Sequence, residues 1–182
     1  MHTEDKIGIC IYPGTFDPIT NGHIDIIKRA RYLFPKVKVL VARDTDKNTL
    51  FSFTKRVHLV KTAISSIEGV ECEGFDGLLI NYLKRTGINI VVRGLRAVSD
   101  FDYEFQFTLM NRKLYPPVEF VFVMPGEEYF FLSSSLVKEI ASLGGDVGKF
   151  VPKIVEEEMK KKLGAYETCD KSQGNKGNLS CL

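Results

Sequence analysis

Several features that would assign a protein to a special class are missing from this 182-residue sequence. No apolar run approaches the roughly 18 residues of a membrane span, since the longest, such as 120–124, have only the length of a strand. The first residues lack the basic start and apolar stretch of a secretory signal. A balance of 25 basic against 23 acidic residues is too even to indicate binding to nucleic acid or to an anionic membrane. These absences predict a soluble cytoplasmic protein with neither kind of partner.

The short motifs of several common cofactor and metal sites are also absent. The four cysteines form no Cys-x-x-Cys pair, so neither a zinc site nor a disulfide framework is indicated. Cys10 and Cys72 fall inside strand-like runs, which predicts that they are small buried apolar residues. There is no Gly-x-Gly-x-x-Gly and no Gly-x-x-x-x-Gly-Lys-Ser/Thr, which argues against a dinucleotide-binding fold and a P-loop.

What the sequence does contain is a regular alternation of strand-like and helix-like segments. Five short β-branched or aromatic runs predict strands at 7–12, 37–42, 70–75, 88–93 and 118–124. Apolar residues at helical spacing predict helices at 22–34 and 53–66, and a last helix starts near Pro152 and ends near Leu163. Asp76, Ser99 and Ser133 are each predicted to cap the N-terminus of a helix.

This alternation predicts an α/β fold in which right-handed crossovers join the strands of a parallel sheet. We expect a Rossmann-like five-stranded parallel sheet with helices on both faces. Residues 1–163 are predicted to form one domain, and the polar segment 164–182 a disordered tail. Ligands of such sheets bind at the carboxyl ends of the strands, so a site is expected in the loops that follow them.

Three of those loops carry groups that bind anions. The loop at 12–23 places His23 in the first turn of a helix, where free backbone N–H groups favour an anion. The next contains Arg93 and Arg96 around a glycine, a geometry that suits phosphate contacts. In the third, Ser133–Ser135 opens a helix with hydroxyl and N–H groups. Each loop alone has an ordinary alternative: a turn with a surface histidine, a chance arginine pair, or a redundant N-cap.

Together these loops resemble the signature segments of the bacterial phosphopantetheine adenylyltransferases, a family of the nucleotidyltransferase superfamily that acts in coenzyme A biosynthesis. Tyr-Pro-Gly-Thr-Phe-Asp-Pro-Ile-Thr-Asn-Gly-His at 12–23 resembles the first signature of that family. Residues 90–97 resemble its Arg-Gly-Leu-Arg block, and 131–138 its Ser-Ser-Ser-Leu-Val-Lys block. The resemblance runs from about 7 to 163 and implies the nucleotidyltransferase fold.

The activity implied by this resemblance is reversible transfer of the adenylyl group of ATP to 4′-phosphopantetheine, which gives dephospho-coenzyme A and pyrophosphate. Mg²⁺ would be the cofactor, held mainly by phosphate oxygens and water, because no cluster of carboxylates in the sequence offers a dedicated cage. No metal-ligating residue is therefore expected. The resemblance further implies a homohexamer that coenzyme A inhibits at the active site.

Roles for individual residues also follow from the resemblance. His23 would hold the ATP phosphates and stabilise the transition state. The other residues that would contact ATP are Thr15, Phe16, Gly94, Leu95, Arg96, Glu104, Tyr129, Phe130, Phe131, Leu132, Ser133, Ser134 and Ser135. Phosphopantetheine would contact Thr15, Lys47, Leu79 and Arg93, and its phosphate would bind Lys47 and Arg93. Asn48-Thr49 stands where the family often has Lys-Pro, which leaves the charge and stiffness of the acceptor loop open.

Two other functions remain open from the sequence. One is a sister nucleotidyltransferase that uses the first motif on nicotinate mononucleotide or on a CTP-dependent acceptor. The arginine and serine blocks together argue against it. The other is a non-catalytic nucleotide sensor of the same fold, which the retention of Thr15, His23, Lys47 and Arg93 disfavours.

Overall fold

A computed structural model describes residues 8–43 and 49–164 of the chain. Its strands are β1 (Ile9–Gly14), β2 (Lys36–Ala42), β3 (Val70–Phe75), β4 (Ile90–Gly94) and β5 (Glu119–Val123). Its helices are α1 (Asn21–Leu33), α2 (Phe53–Ala63), α3 (Leu79–Thr86), α4 (Val98–Leu114), α5 (Ser134–Ser142) and α6 (Lys153–Leu163). All five predicted strands are confirmed, with ends that differ from the prediction by two residues at most.

The five strands form one parallel sheet in the order β3-β2-β1-β4-β5. The predicted parallel sheet is therefore confirmed, and the strand order reverses at β1. The chain runs outward from β1 to β3, then returns to add β4 beside β1, with Ile11 opposite Val91. Cys10, on the central strand β1, is fully buried as predicted, but Cys72 is only partly buried because β3 lies at the edge of the sheet.

Apolar side chains cover both faces of the sheet, as the α/β prediction requires. One cluster contains residues of the helices on the first face, such as Ile27 of α1 and Met159 of α6, both fully buried. The second cluster contains Leu83 of α3 and residues of α4. Neighbouring residues of β1 point to opposite clusters, Cys10 to the first and Ile11 to the second, which is the pattern of a strand buried on both sides.

One predicted helix cap is confirmed and another is wrong. Ser133 caps α5, and its hydroxyl oxygen accepts a hydrogen bond from the backbone N–H of Leu136 at 3.1 Å. Asp76 does not cap α3, whose N-cap residue is Leu78. The carboxylate of Asp76 instead pairs with the guanidinium of Arg43 (Nε to Oδ2, 3.0 Å), so a competing ion pair explains the error.

Helix α4 exposes large apolar side chains on more than one side. Val98 is 89% exposed, and Tyr103, Phe105 and Met110 each keep about half of their surface or more in contact with solvent. A helix that is apolar all round is usually covered by protein or lipid. Within the described part of the chain, however, no helix has both the length and the apolar character that crossing a bilayer requires.

Candidate active site

A cavity of about 420 Å³ lies at the carboxyl ends of β1 and β4, where the strand order reverses. Its walls come from the loops after β1, β4 and β5. The predicted residues that line it are Thr15, Phe16, His23, Arg93, Gly94, Arg96, Glu104, Tyr129, Leu132, Ser133, Ser134 and Ser135. The prediction that the loops after β1, β4 and β5 meet at one edge of the sheet is therefore confirmed, whereas their binding of anions stays a prediction.

The position of His23 is fixed by the N-terminus of α1. Thr20 is the N-cap residue, and its hydroxyl oxygen accepts a hydrogen bond from the backbone N–H of His23 at 3.3 Å. In return, the Nδ1 atom of His23 accepts a hydrogen bond from the backbone N–H of Thr20 at 3.0 Å. This reciprocal arrangement is a capping box in which a histidine takes the place of the usual glutamate or glutamine.

The same hydrogen bonds determine the protonation of the imidazole. A backbone N–H can only donate, so the Nδ1 atom of His23 carries no proton and the neutral ring has its proton on Nε2. Burial, together with the charges of Arg96 and Arg93, lowers the pKa of His23 to about 4. At neutral pH the Nε2–H group is therefore a neutral hydrogen-bond donor in the wall of the cavity.

The ring of Phe16 packs against the imidazole of His23 and restricts its orientation. Its ring packs edge-on against the His23 ring, with centroids 5.2 Å apart, and against the Tyr12 ring at 5.4 Å. The backbone of Phe16 has φ of 48°, a left-handed conformation that is costly for a bulky residue and that occurs mainly at functional sites. A β-carbon on Gly14 would lie 2.9 Å from the Phe16 ring, so only glycine permits this packing.

Asp17 joins the first loop to two distant parts of the chain. Its carboxylate is 4% exposed and accepts hydrogen bonds from the backbone N–H groups of Leu50 and Phe51, at 2.7 and 2.8 Å. The ammonium group of Lys138 on α5 donates to the same carboxylate at 2.9 Å. Asp17 thus holds the segment that follows residue 48 and the serine-capped helix against the loop after β1.

Arg56 ties the other side of that segment to the same loop. Its side chain is fully buried, and its Nη1 atom donates to the carbonyl oxygens of Thr15 and Ala42, at 2.5 and 2.8 Å. Thr15 belongs to the cavity wall, and Ala42 is the last residue of β2. A buried guanidinium that bridges two carbonyl oxygens fixes the distance between these loops.

Arg93 and Glu104 form a two-pronged ion pair inside the cavity. The Nε and Nη2 atoms of Arg93 donate to the two carboxylate oxygens of Glu104 at 2.8 and 2.5 Å, and its Nη1 atom donates to the carbonyl oxygen of Pro13 at 3.1 Å. Burial alone would lower the pKa of Arg93, but Glu104 outweighs this effect and raises it. The guanidinium is thus permanently charged and oriented before any ligand binds.

Arg96 is held in a similar way by Asp100. Its Nε and Nη2 atoms donate to Asp100 at 3.2 and 3.3 Å, and its Nη1 atom donates to the carbonyl oxygen of Leu132 in the third loop at 2.8 Å. Asp100 also accepts from the backbone N–H of Arg96 at 3.2 Å. The predicted N-cap at Ser99 is wrong: the N-cap residue is Ala97, so α4 begins two residues earlier than predicted, and Asp100 lies in its first turn.

The three serines at the start of α5 have different contacts. The hydroxyl of Ser133 caps the helix, and that of Ser134 donates to the carbonyl oxygen of Pro18 at 2.7 Å, which fastens α5 to the first loop. Ser135 has an exposed side chain at the cavity wall. The backbone N–H groups of Ser134 and Ser135 precede the capped N–H of Leu136 and have no partner within the helix, so they are available to an anion in the cavity.

The sequence is similar to those of known nucleotidyltransferases. Residues 11–140 match the sequence model of the cytidylyltransferase-like family. The phosphopantetheine adenylyltransferase of Alkaliphilus metalliredigens is 53% identical over 157 residues, which cover 86% of this chain and 99% of the relative. That of Aromatoleum aromaticum is 51% identical over 158 residues, covering 87% and 97%. The chain belongs to the phosphopantetheine adenylyltransferase family.

Membership of the phosphopantetheine adenylyltransferase family makes the chain a nucleotidyltransferase, and the fold agrees. The structure resembles a protein of Vibrio parahaemolyticus described as a nicotinate-nucleotide adenylyltransferase, with a TM-score of 0.62 over 83% of this chain and 97% of the other. Only 16% of the aligned residues are identical. This likeness therefore concerns the nucleotidyltransferase fold and carries no information about the acceptor substrate.

Some residues assigned from the resemblance to phosphopantetheine adenylyltransferases do not line the cavity. Leu79 is 8% exposed and packs in the second apolar cluster, so its predicted contact with the pantetheine arm remains a prediction. Leu95, Phe130 and Phe131 lie in the correct loops, but beyond the cavity wall. Lys47 lies outside the described residues, as does the predicted tail from 165 onward.

Other residues that build this adenylyltransferase site were missed by sequence reasoning. Tyr12, Asp100 and Tyr103 line the cavity, and Asp17 and Arg56 hold its loops together. The signal for Arg56 was weak, because a single arginine in an amphipathic helix is usually a solvent-exposed residue. Tyr12 and Asp17 lie inside the family motif at 12–23, but nothing in their spacing gives their partners.

The low pKa of His23 predicts how the stability of the free protein depends on pH. An unfolded histidine binds a proton near pH 6.5, whereas folded His23 binds one only near pH 4. Unfolding therefore takes up a proton between these values. The stability contributed by neutral His23 is complete above pH 6.5 and is lost as the pH falls toward 4.

We expect wild-type protein to lose about 1–2 kcal/mol more unfolding free energy between pH 7 and pH 5 than His23→Gln does. Urea unfolding at both pH values measures this difference. His58→Gln, a change at an exposed position of α2, is the matched control and should behave as wild type. Equal pH dependence in wild type and His23→Gln would contradict a neutral, buried imidazole.

Proposed function

We propose that the protein catalyses the reversible transfer of the adenylyl group of ATP to 4′-phosphopantetheine, which yields dephospho-coenzyme A and pyrophosphate. The observation that carries this proposal is the convergence of His23, Arg93, Arg96 and the N-terminus of α5 on one cavity. These groups suit two phosphorylated substrates, and the relatives at about 50% identity bear the name phosphopantetheine adenylyltransferase.

The reaction needs little covalent chemistry from the protein. An oxygen of the acceptor phosphate forms a bond to the α-phosphorus of ATP, while the bond from that phosphorus to the oxygen of the β-phosphate breaks and pyrophosphate leaves. The attacking phosphate is already anionic at neutral pH, so no general base is required. Catalysis then depends on holding two anions together and on stabilising the charge that develops during transfer.

The residues of the cavity have distinct parts in this mechanism. His23 donates from Nε2–H to a phosphate oxygen of ATP, and because the ring is neutral, it can donate without first taking up a proton. Arg93, oriented by Glu104, binds the phosphate of phosphopantetheine. Arg96 and the first N–H groups of α5 bind the triphosphate. Thr15, which also lines the cavity, contacts both ATP and phosphopantetheine.

Two assigned acceptor contacts depend on the resemblance alone. Lys47 would bind the acceptor phosphate opposite Arg93, and Leu79 would contact the pantetheine arm. Arg56 and Asp17 hold residues on either side of 44–48, Ala42 and Leu50, against the loop after β1. That anchoring supports an acceptor-binding role for Lys47, since Ala42 and Leu50 are both tied to the loop after β1, which carries Thr15.

Mg²⁺ is proposed to accompany the triphosphate. Among the residues that the structure describes, no three histidine, cysteine, aspartate or glutamate side chains come together as metal ligands. The two carboxylates of the cavity, Asp100 and Glu104, are engaged by Arg96 and Arg93. Within the described residues no dedicated cage is present, and we propose that phosphate oxygens and water hold the metal.

We also propose that the protein assembles into a cytoplasmic homo-oligomer, a hexamer according to the family resemblance. The exposed apolar side chains of α4, including Val98, Phe101 and Met110, support this proposal, because a soluble monomer rarely leaves such a surface uncovered. Analytical ultracentrifugation tests it, and a monomer at micromolar concentration would contradict it.

The proposed reaction predicts pyrophosphate release when the protein is mixed with ATP, Mg²⁺ and phosphopantetheine. Pantetheine without its phosphate should give no product. A neutral hydroxyl would leave the cationic acceptor site unpaired and would need a base, whereas the only imidazole of the described cavity already uses Nδ1 to bind Thr20. A coupled pyrophosphate assay measures both reactions. Turnover with nicotinate mononucleotide but not with phosphopantetheine would overturn the substrate assignment.

A further inference from the structure

Tyr12 is a cavity residue for which the proposed mechanism has no role. It lies in the second half of β1, two residues before the strand ends and the loop that carries Thr15 and His23 begins. The side chain is 6% exposed, and its ring packs edge-on against Phe16 at 5.4 Å. The hydroxyl oxygen lies 3.7 Å from the place that a β-carbon would take on Gly94, so it sits beside the backbone of the second anion-binding loop.

The hydroxyl of Tyr12 has no hydrogen-bond partner among residues 8–43 and 49–164. This contrasts with Tyr82, which donates to Glu73 at 2.8 Å, and with Tyr115, which donates to Asn89 at 3.0 Å. Although Tyr12 is a buried residue, its hydroxyl oxygen is not one of the fully enclosed side-chain atoms without a partner in the described residues, so it keeps contact with the cavity. Tyr12 is more than nine-tenths buried and lines the cavity, so the partner it lacks is one that a ligand would supply.

The surroundings of Tyr12 define the chemistry of that ligand. Arg93 and Arg96 are close enough to lower the pKa of the phenol, but burial is the larger effect and raises it, so the hydroxyl keeps its proton. Arg93 donates to the carbonyl oxygen of Pro13, the residue that follows Tyr12. A neutral O–H donor beside two guanidinium groups matches an anionic oxygen acceptor.

We propose that the Tyr12 hydroxyl donates a hydrogen bond to a phosphoryl oxygen of a substrate bound between Arg93 and His23. Tyr12 would then be a further substrate-contacting residue of the adenylyl transfer. The oxygen belongs either to the acceptor phosphate or to the α-phosphate of ATP, two phosphoryl groups of the same chemistry. The turnover part of this inference rests on the proposed function, whereas the binding part does not.

The test is Tyr12→Phe, which removes the hydroxyl and keeps the ring that packs on Phe16. We expect kcat/KM to fall about 10- to 100-fold, the effect of losing a hydrogen bond to a charged group. The melting temperature should stay about the same, because the ring is kept and no hydrogen bond within the described residues is removed. Tyr82→Phe is the matched control: it deletes a paired hydroxyl away from the cavity and should keep wild-type kinetics.

Varying each substrate in turn, together with calorimetric titration of ATP alone, identifies which oxygen is bound. Weaker ATP binding by Tyr12→Phe assigns the contact to ATP. Unchanged ATP binding with a higher KM for phosphopantetheine or a lower kcat assigns it to the acceptor or to the transition state. Wild-type kinetics and wild-type ATP affinity in Tyr12→Phe would overturn the proposal, as would an activity loss that only follows a lower melting temperature.

A protein without any turnover would separate the two proposals. The proposed adenylyl transfer would then be wrong, and ATP titration alone would decide the role of Tyr12. A tenfold or larger loss of ATP affinity in Tyr12→Phe would still support a phosphoryl contact. Equal affinity in the two proteins would refute it.

Discussion

His23→Ala is expected to lower kcat by about 10²- to 10³-fold while the protein remains folded, the usual result of removing one donor that stabilises a transition state. The Nε2–H group of His23 is a neutral donor whose ring orientation is fixed by Thr20 on one side and by Phe16 on the other. The variant loses this donor at the position where charge develops on the phosphates. Its KM values should change less than its kcat.

The fold and the role of His23 can be tested separately. His58→Ala, at an exposed position of α2, is the matched control and should retain wild-type turnover. His23→Ala also removes half of the capping box at Thr20, so its melting temperature should fall modestly, by the few degrees expected for a weakened cap. Near-normal turnover of folded His23→Ala in a pyrophosphate assay would exclude a catalytic role for this residue.

Arg93→Ala is expected to lower kcat/KM for phosphopantetheine by about 2–4 kcal/mol, or roughly 30- to 1,000-fold, with a much smaller effect on ATP. The reason is that Arg93 would bind the phosphate that is also the nucleophile, so it sets both the affinity and the angle of attack. Lys47→Ala should cost less, because a lysine is a flexible point charge and not a rigid fork. Steady-state kinetics with each substrate varied in turn measures these effects.

Two further variants separate the loss of phosphate binding in Arg93→Ala from a loss of stability. Arg93→Ala leaves the buried carboxylate of Glu104 without its partner, so part of its effect could come from instability. Arg93→Lys retains the charge but cannot make the two-pronged contact, and it should still lose most of the acceptor affinity. Arg29→Ala, which breaks an exposed ion pair with Asp25 on α1, is the matched control and should keep wild-type kinetics. A raised KM for ATP alone in Arg93→Ala would assign Arg93 to the nucleotide site.

The fold was predictable because its signals are local and periodic. The apolar runs of β1 to β5 and the helical spacing around Ile27 and Val60 report burial directly, and both residues are fully buried. The topological rule for parallel sheets then placed the three loops at one edge. The predicted caps at Asp76 and Ser99 were wrong because the sequence does not show which groups these segments contact. Asp76 pairs with the distant Arg43, and at the start of α4 it is the carboxylate of Asp100 that binds the backbone N–H of Arg96.

The sequence predicted many of the residues that line the cavity, but not the hydrogen bonds and ion pairs between them. The resemblance selected His23, Arg93 and Glu104, all of which line the cavity. It gave no indication that Glu104 binds Arg93, since a bidentate ion pair between β4 and α4 leaves no trace in spacing. Arg56 was missed for the same reason: a buried guanidinium that bridges two loops looks like any arginine on a helix.

The pairing of β1 with β4 joins parts of the chain that lie farther apart in sequence than those of any other pair of neighbouring strands. Every other pair of neighbouring strands is connected by a single crossover helix, whereas β2 and β3 come between β1 and β4 along the chain. Contacts between distant parts of a chain close slowly, because more conformational entropy is lost before they form. A refolding chain should therefore gain ATP affinity only in its slowest phase. The cavity is lined by residues of both β1 and β4, so ATP bound there should make separation of the two strands less favourable. The amide hydrogens of β4 should therefore exchange more slowly in the complex.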